Sequence, residues 1–367
     1  MNNKIKPIAI YLPQFHPIKE NNEWWGQGFT EWTNVTKSLP KFKGHYQPHL
    51  PTDLGFYDLR LHDTLIEQAK LAQEHGIYGF CFYHYWFNGK LLLETPLHNL
   101  LKNKTPDFPF CLCWANENWT RRWDGLEEEV LIKQDHTIQD DLEHIKYLIT
   151  FFKDDRYIKI ENKPVLLVYR SELHPQINEC TKMWREEVRK EGFEDIYLIR
   201  VENFVTNVNP ESHGFDAAME FAPSFSGQLK KTYKKNVAKY LTTKVLDKLK
   251  IQTRADLNNN IYDYRDLIDL MTNRPVPTYK RFRAICPGWD NSARRKSNAT
   301  IFINSSPKSY SVWLKDIIDY TKENFSDGEQ LFFINAWNEW AEGCHLEPCI
   351  KWGKAYLEET KKVVESR

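Results

Sequence analysis

The chain of 367 residues has no excess of charge of either sign, with 50 Lys and Arg against 50 Asp and Glu. A nucleic-acid binder, or a protein held on an anionic membrane, needs a basic footprint. No nucleic acid is therefore expected among its partners. No apolar run approaches the roughly 20 residues of a membrane-spanning helix, so no transmembrane segment is expected. A strand-like run begins within a few residues of the N-terminus, so no secretory leader is expected. Seven cysteines, an odd number without disulfide-like spacing, suit a reducing compartment. These features lead to the expectation of a cytoplasmic protein.

Phosphate and metal signatures are missing as well. No Gly-rich turn follows the first strand-like run, and Gly26-Gln27-Gly28 lacks both the preceding strand and a third glycine. There is no P-loop, no H-E-x-x-H spacing and no Asp-x-Asp triplet. Cys111 and Cys113 lie in a strand-like run, and Cys344 and Cys349 have no second pair for zinc. The expectation is no cofactor and no metal. Repeats, linkers and low-complexity segments are absent, and no feature sets an oligomeric state.

Aromatic residues are abundant: 13 Trp, 18 Tyr and 21 Phe. A large core would use them, yet many of the tryptophans stand in polar company, as in Glu23-Trp24-Trp25, Glu31-Trp32, Asn118-Trp119 and Arg122-Trp123. Short apolar runs at 8–12, 79–84, 108–114, 164–169, 196–201, 217–221, 283–286 and 331–336 read as strands. Helical periodicity separates them at 64–75, 139–152, 178–192, 311–325 and 354–364, with Gly76 and Gly192 placed as C-terminal caps. Eight alternations with near-continuous apolar strands predict an α/β chain forming one (β/α)8 TIM barrel over residues 1–367. Long loops at about 13–61, 115–137 and 224–279 would lie on its mouth side. The last contains Lys230, Lys231, Lys234, Lys235 and Lys239, a pattern that suits a solvated helix face.

Polar-aromatic clusters follow several of these strands, where barrel enzymes carry their sites. After the first come Tyr11, Gln14 and His16, although His16 can equally cap a turn. The second ends in Tyr83-His84-Tyr85-Trp86, in which alternation puts His84 and Trp86 on one face and Tyr83 and Tyr85 on the other. His84 can equally be a core residue. Trp114, Asn116, Glu117 and Trp119 follow the third strand, and Trp289 and Asp290 the seventh. Such side chains equip a sugar subsite, because amides and carboxylates bond vicinal hydroxyls and indole covers the C–H face of the ring. After the eighth strand stands Asn335-Ala336-Trp337-Asn338-Glu339-Trp340-Ala341-Glu342-Gly343. Two carboxylates among indoles are what glycosyl hydrolysis or transfer needs. Glu339 and Glu342 are therefore the expected catalytic residues, with Trp32, Asn338 and Trp340 as further substrate contacts. Glu339 and Glu347 also match the E-x7-E spacing of two-Rossmann retaining glycosyltransferases.

Taken together, Tyr11-Leu12-Pro13-Gln14-Phe15-His16, Trp24-Trp25-Gly26, Phe29-Thr30-Glu31-Trp32, Tyr83-His84-Tyr85-Trp86, Cys113 to Trp119 and Asn338 to Gly343 resemble the WbsX-like family over almost the whole chain. That family carries the label of glycosyltransferase or lipopolysaccharide-biosynthesis protein. More distantly, Pro287-Gly288-Trp289-Asp290 and the Glu339/Glu342 element resemble glycoside hydrolase family 99, metal-free retaining endo-α-mannosidases with (β/α)8 barrels. Ala341 stands where those enzymes commonly have His. The resemblance implies that Glu339 deprotonates the sugar 2-hydroxyl, which attacks C1 to give a 1,2-anhydro sugar. It implies that Glu342 is the general acid/base. Glu342 should then be protonated within an apolar surround of Trp337, Trp340 and Ala341. Glu339 should be kept ionised by Asn338 or His84.

The function expected is cleavage or transfer of α-linked glycosidic bonds, with an oligosaccharide or polysaccharide of the bacterial surface, or its precursor, as substrate. The alternatives are a nucleotide-sugar-dependent glycosyltransferase of O-antigen or lipopolysaccharide biosynthesis and an inactive glycan-binding barrel.

Overall fold

Near-continuous apolar strands cannot leave a face in water, so they pair side by side and are covered on both faces. The computed structural model describes residues 5–121, 126–203, 205–223, 229, 259–295 and 298–366. It forms the runs into parallel strands β1 (Lys6–Tyr11), β2 (Gly79–Phe87), β3 (Phe110–Trp114), β4 (Lys163–Val168), β5 (Tyr197–Glu202), β6 (Ala217–Glu220), β7 (in two pieces, Arg281–Phe282 and Ala284–Ile285) and β8 (Leu331–Ile334). Sequence neighbours pair, with Ile8 beside Gly79, Cys81 beside Cys111 and Leu166 beside Leu198. β1 also pairs with β8, Lys6 opposite Leu331. The seventh strand is divided at Arg283: its first piece pairs with β6 and its second with β8. The result is a nearly closed parallel α/β barrel of the (β/α)8 kind.

The helices are α1 (Lys19–Trp25), α2 (Glu31–Thr36), α3 (His62–Glu74), α4 (Thr95–Asn103), α5 (Ile138–Phe152), α6 (Ile177–Lys190), α7 (Tyr264–Thr272), α8 (Pro307–Asn324) and α9 (Ala355–Glu365). All five helices expected from periodicity are among them, with small shifts at their ends. On α5, Ile145, Leu148, Ile149 and Phe152 are buried, while the Thr137 hydroxyl accepts the Asp140 N–H at 3.1 Å and caps the first turn. Gly76 and Gly192 follow α3 and α6 at φ +79° and +92°, the left-handed region that glycine enters without a Cβ penalty.

Strand alternation decides what reaches the barrel mouth. On β2, His84 and Trp86 turn toward the helix layer and stack on His144 of α5, with ring centroids 5.1 and 4.9 Å away. β3 pairs with Trp114 opposite His84, so Trp114 points the same way, against His144 and Trp184. Tyr83 and Tyr85 take the other face. Of the long connection expected at 224–279, the strand Asn260–Asp263 pairs in parallel with Thr300–Ile303, and α7 follows it. The lysine run at 230–239 lies outside the described residues, as do Arg122, Trp123 and Asp124. Among the described residues no helix is long and apolar enough to cross a membrane.

Candidate active site

Segments at the C-terminal ends of all eight strands line a cavity of about 600 Å³. Leu12 and Gln14 follow β1, Tyr83 and Tyr85 lie on β2, and Glu117, Asn118 and Trp119 follow β3. Tyr169, Asn203 and Phe221 follow β4, β5 and β6; Trp289, Asn291 and Arg294 follow β7; Glu339 and Glu342 follow β8.

The two acids are presented by a tight turn. Asn338–Glu339 pairs antiparallel with Cys344–His345, and Trp340–Glu342 between them makes one 3-10 turn. Side chains three residues apart eclipse in such a turn, which puts Glu339 and Glu342 on one side. Gly343 ends the turn at φ +56°. A Cβ there would stand 3.0 Å from the Asp290 Cβ and 3.2 Å from its nitrogen, so both conformation and space call for glycine. The Asp290 N–H donates to the Glu342 carbonyl at 2.6 Å and ties the β7 loop to the β8 loop. Burial works against the charge of the Asp290 carboxylate, but hydrogen bonds from His45 and Gln47, both at 2.7 Å, and from Ser292 outweigh it and lower the pKa.

Arg294 joins the acids. Its Nη2 donates to Glu339 at 2.7 Å, its Nη1 to Glu342 at 2.8 Å, and its Nε to the fully buried Glu31 of α2 at 2.7 Å. Three carboxyl groups thus surround one guanidinium. Burial comes first in pushing the Glu339 pKa up to about 8; Arg294 opposes the shift, and Glu342 and Glu31 add to it. Glu342 is raised as well, again by burial first and against Arg294. Burial disfavours the Arg294 charge, but the three carboxyls prevail and hold its pKa well above the ordinary value. Glu339 and Glu342 share one cation and hold a proton between them near neutral pH.

This corrects the expectation that Asn338 or His84 keeps Glu339 ionised. The Asn338 amide instead bonds the backbone of Leu12, accepting its N–H at 2.7 Å and donating to its carbonyl at 3.0 Å. His84 faces His144, Nε2 to Nε2 at 2.9 Å. Trp337, Trp340 and Ala341, expected around Glu342, are buried, and none of them lines the cavity.

Of the residues singled out in the sequence, Gln14, Glu117, Trp119, Trp289, Glu339 and Glu342 line the cavity. Glu117 is paired there with Arg170. The others do not line it. The Tyr11 hydroxyl donates to Gln68 of α3 at 2.6 Å, and His16 is buried, its pKa lowered chiefly by that burial. Trp32 packs on Phe15, Tyr57 and Trp340 and donates to the Tyr57 carbonyl at 2.9 Å. Trp86 donates to Asp140 at 2.9 Å. With His84 and Trp114 it belongs to the helix-facing side of its strand. Asn116 bonds both backbone groups of Arg170, at 2.8 and 2.9 Å, while Asp290 and Asn338 are the loop ties described above. Trp340 stacks on His345 at 3.8 Å and donates to Glu347 at 2.5 Å. The physical reason is shared: a motif read as a unit contains residues that alternate between the cavity and the support behind it.

Tyr83, Tyr85, Tyr169, Asn203, Arg294 and, behind them, Glu31 went unassigned. Alternation had already separated Tyr83 and Tyr85 from His84, so a signal existed for that pair. Arg294 lies beside Arg295 and Lys296 in a polar loop with no periodicity, which looks like ordinary surface.

Glu347 settles the E-x7-E spacing. It is buried outside the cavity, receiving hydrogen bonds from Tyr57 at 2.8 Å, Gln68 at 2.7 Å and Trp340. Burial raises its pKa to about 7 against those donors. It therefore braces Trp340 and does not share a pocket with Glu339. One group of possible metal ligands is present among the described residues, His136, Asp141 and His174, with donor atoms within 4.8 Å of one another. His174 Nδ1 accepts the Gln176 N–H at 3.1 Å, so its proton sits on Nε2 and points at Asp141, 3.0 Å away. That tautomer offers a proton instead of a lone pair; Asp141 and His174 form a hydrogen-bonded pair beside Trp114, and the Nδ1 of His136 has no partner among the described residues.

The WxcX proteins of two strains of Xanthomonas campestris pv. campestris are 43% identical to this chain over 357 residues. The alignment takes in 97% of the chain but 49% of each relative, so the chain spans about half the length of these curated relatives. Among solved structures, the family 99 endo-α-mannosidase from Bacteroides thetaiotaomicron superposes with a TM-score of 0.57 at 14% identity, covering 100% of this chain and 98% of that one. A glycoside hydrolase-like protein gives 0.58 at 15% identity, covering 99% and 94%. At such identities the likeness is one of fold. The family model described as Glycosyltransferase WbsX matches residues 7–360, and the chain belongs to that family.

Proposed function

We propose that this protein is a retaining carbohydrate-active enzyme that cleaves or transfers α-linked glycosidic bonds in bacterial surface polysaccharide or its precursor, using Glu339 and Glu342. The observation that carries the reading is the bridging of both acids by Arg294 in a cavity walled by Trp119, Trp289, Tyr83 and Tyr85.

Glu339 and Glu342 hold one proton between them, and the reactive form is the one that carries it on Glu342. In the first step Glu339, ionised in that form, takes the proton of the sugar 2-hydroxyl, and the 2-oxygen bonds C1. The C1–O bond to the leaving group breaks, and Glu342 gives its proton to the departing oxygen. In the second step Glu342 takes a proton from water or a sugar hydroxyl, whose oxygen bonds C1. The C1–O2 bond opens, and Glu339 returns its proton to O2. Each step turns one carboxylate neutral and the other anionic, so the charge of the pair is constant. The negative charge only moves from one end of the Arg294 guanidinium to the other. A preorganised cation that serves both charge states needs little rearrangement during the reaction.

A second reading, a nucleotide-sugar-dependent glycosyltransferase of surface-polysaccharide biosynthesis, is favoured by the family's description. The deciding experiment incubates the protein with defined α-linked oligosaccharides and follows product size and anomeric configuration. Calorimetry with common nucleotide sugars, with and without manganese, runs beside it. Cleavage or transfer with retention and no nucleotide requirement supports the first reading. Nucleotide-sugar binding without action on oligosaccharides supports the second.

A further inference from the structure

A second chamber of about 390 Å³ adjoins the first, and Arg294 and Arg295 line both. Trp24 and Trp25 of α1, both half-buried, form part of its wall. The Trp24 ring lies 6.2 Å from that of Trp119, which lines the first cavity, so indole surface continues from one space to the next. Its charge is one-sided. Lys37 and Lys41 join the two arginines, and no Asp or Glu is among the described residues that line it. Arg294 is neutralised by its three carboxyls, whereas Lys37 and Lys41 form no ion pair with any described residue. Two buried side chains of the same wall, Asn34 and Ser38, have an Nδ2 and an Oγ without a hydrogen-bond partner among the described residues. Buried polar atoms are rarely left unsatisfied without a role in binding or a water to meet them.

We propose that this chamber is a glycan subsite for a sugar bearing an anionic group, a carboxylate or a phosphate, on the same chain whose glycosidic bond lies at Glu339 and Glu342. The inference rests on the reading of the first cavity as a glycan site. The indoles of Trp24 and Trp25 offer flat apolar faces to the C–H side of a sugar ring. The two ammonium groups offer charge-assisted hydrogen bonds to the anion. A neutral sugar would satisfy the first and leave the second unused.

The test is a glycan array of α-linked oligosaccharides in matched neutral, uronate-bearing and phosphate-bearing forms. It is probed with the native protein, with the double variant Lys37→Gln/Lys41→Gln and with Trp119→Ala. The expected result is affinity about tenfold higher for at least one anionic series, equivalent to one charge-assisted hydrogen bond. That advantage should shrink with salt and vanish in the double variant, whose affinity for the neutral series and melting temperature stay unchanged. Whichever anionic series gains identifies the carboxylate or the phosphate. Trp119→Ala should weaken binding of neutral and anionic series alike, which reports on the first cavity. Equal affinity for neutral and anionic series, or an advantage that survives in the double variant, overturns the subsite while the glycan reading stands. Binding of no series overturns both.

Discussion

Arg294 donates to Glu342 Oε1 at 2.8 Å and to Glu339 Oε2 at 2.7 Å, so a single guanidinium spans two carboxyls three residues apart in sequence. Glu31 occupies its third side and is fully buried. Removing one partner from a buried ionic group costs about 3–5 kcal/mol, because the remaining charges lose their compensation. Arg294→Met is expected to lose stability of that order, measured by chemical denaturation, together with turnover. Arg294→Lys supplies a point charge without the planar fork and should recover part of the stability but little turnover. A Met variant as stable as the native protein would mean that the cluster does not bind Arg294 as the distances indicate.

The two glutamates should separate by leaving group. Glu339→Gln removes the base for the 2-hydroxyl and should abolish turnover even of an activated glycoside. Glu342→Gln removes the acid and should spare substrates whose leaving group departs without a proton. A 2-deoxy substrate should be inert to the native protein. Brisk turnover of that compound, or a sugar trapped on Glu339, would point to a carboxylate nucleophile instead.

Much of this was legible in the residues. All eight barrel strands and the five periodic helices follow from apolar patterning, because patterning is what burial between layers demands. The break in β7 at Arg283 was not legible, since it depends on which neighbour each half pairs with. The acid pair stood out because carboxylates among indoles are unusual. Its partners did not. Glu31 comes from a helix hundreds of residues earlier, and nothing local in Arg294 shows that it folds inward. Proximity to strand ends points His84 and Trp114 to the cavity, whereas the parity of β2 and β3 sends them to α5.

That parity gives the tryptophans different tests. Trp119 and Trp289 line the cavity, whereas Trp114 is fully buried against His144 and Trp184. Trp119→Ala and Trp289→Ala should each weaken oligosaccharide binding by about 1–3 kcal/mol, on the scale of ring stacking on aromatic platforms. Trp114→Ala should instead destabilise the fold by about 3–5 kcal/mol through the void it leaves. Titration calorimetry and denaturant unfolding on the three variants separate the outcomes. A Trp114 variant of native stability that binds glycan poorly would place Trp114 in the site after all.

The dependence of stability on pH should have a maximum near pH 6.5, and its two limbs have different owners. On the acid side the buried histidines rule. Burial lowers His84 and His345 to about 3, and His49 and His136 to about 4, from 6.5. These groups stay neutral in the fold while the unfolded chain takes up protons. Their contribution is present above 6.5 and is lost as pH falls. Glu339, raised from 4.5 to about 8, and Glu347, raised to about 7, act in the opposite sense. The native state keeps protons that the unfolded chain has released, so their contribution is complete below 4.5 and disappears as pH rises through 7 and 8. Between 4.5 and 6.5 the several histidines outweigh the raised carboxyls; above 6.5 the histidines no longer titrate and the carboxyls still do. From pH 6.5 to 8 the Glu339/Glu342 pair should cost on the order of 2 kcal/mol at roughly 1.4 kcal/mol per pH unit. Melting temperatures across pH 5 to 9 check this, with Glu339→Gln as the control. The variant should lose most of the alkaline decline and keep the acid limb. If native protein and variant decline in parallel above pH 6.5, Glu339 does not carry the raised proton affinity that its burial beside Glu31 and Glu342 requires.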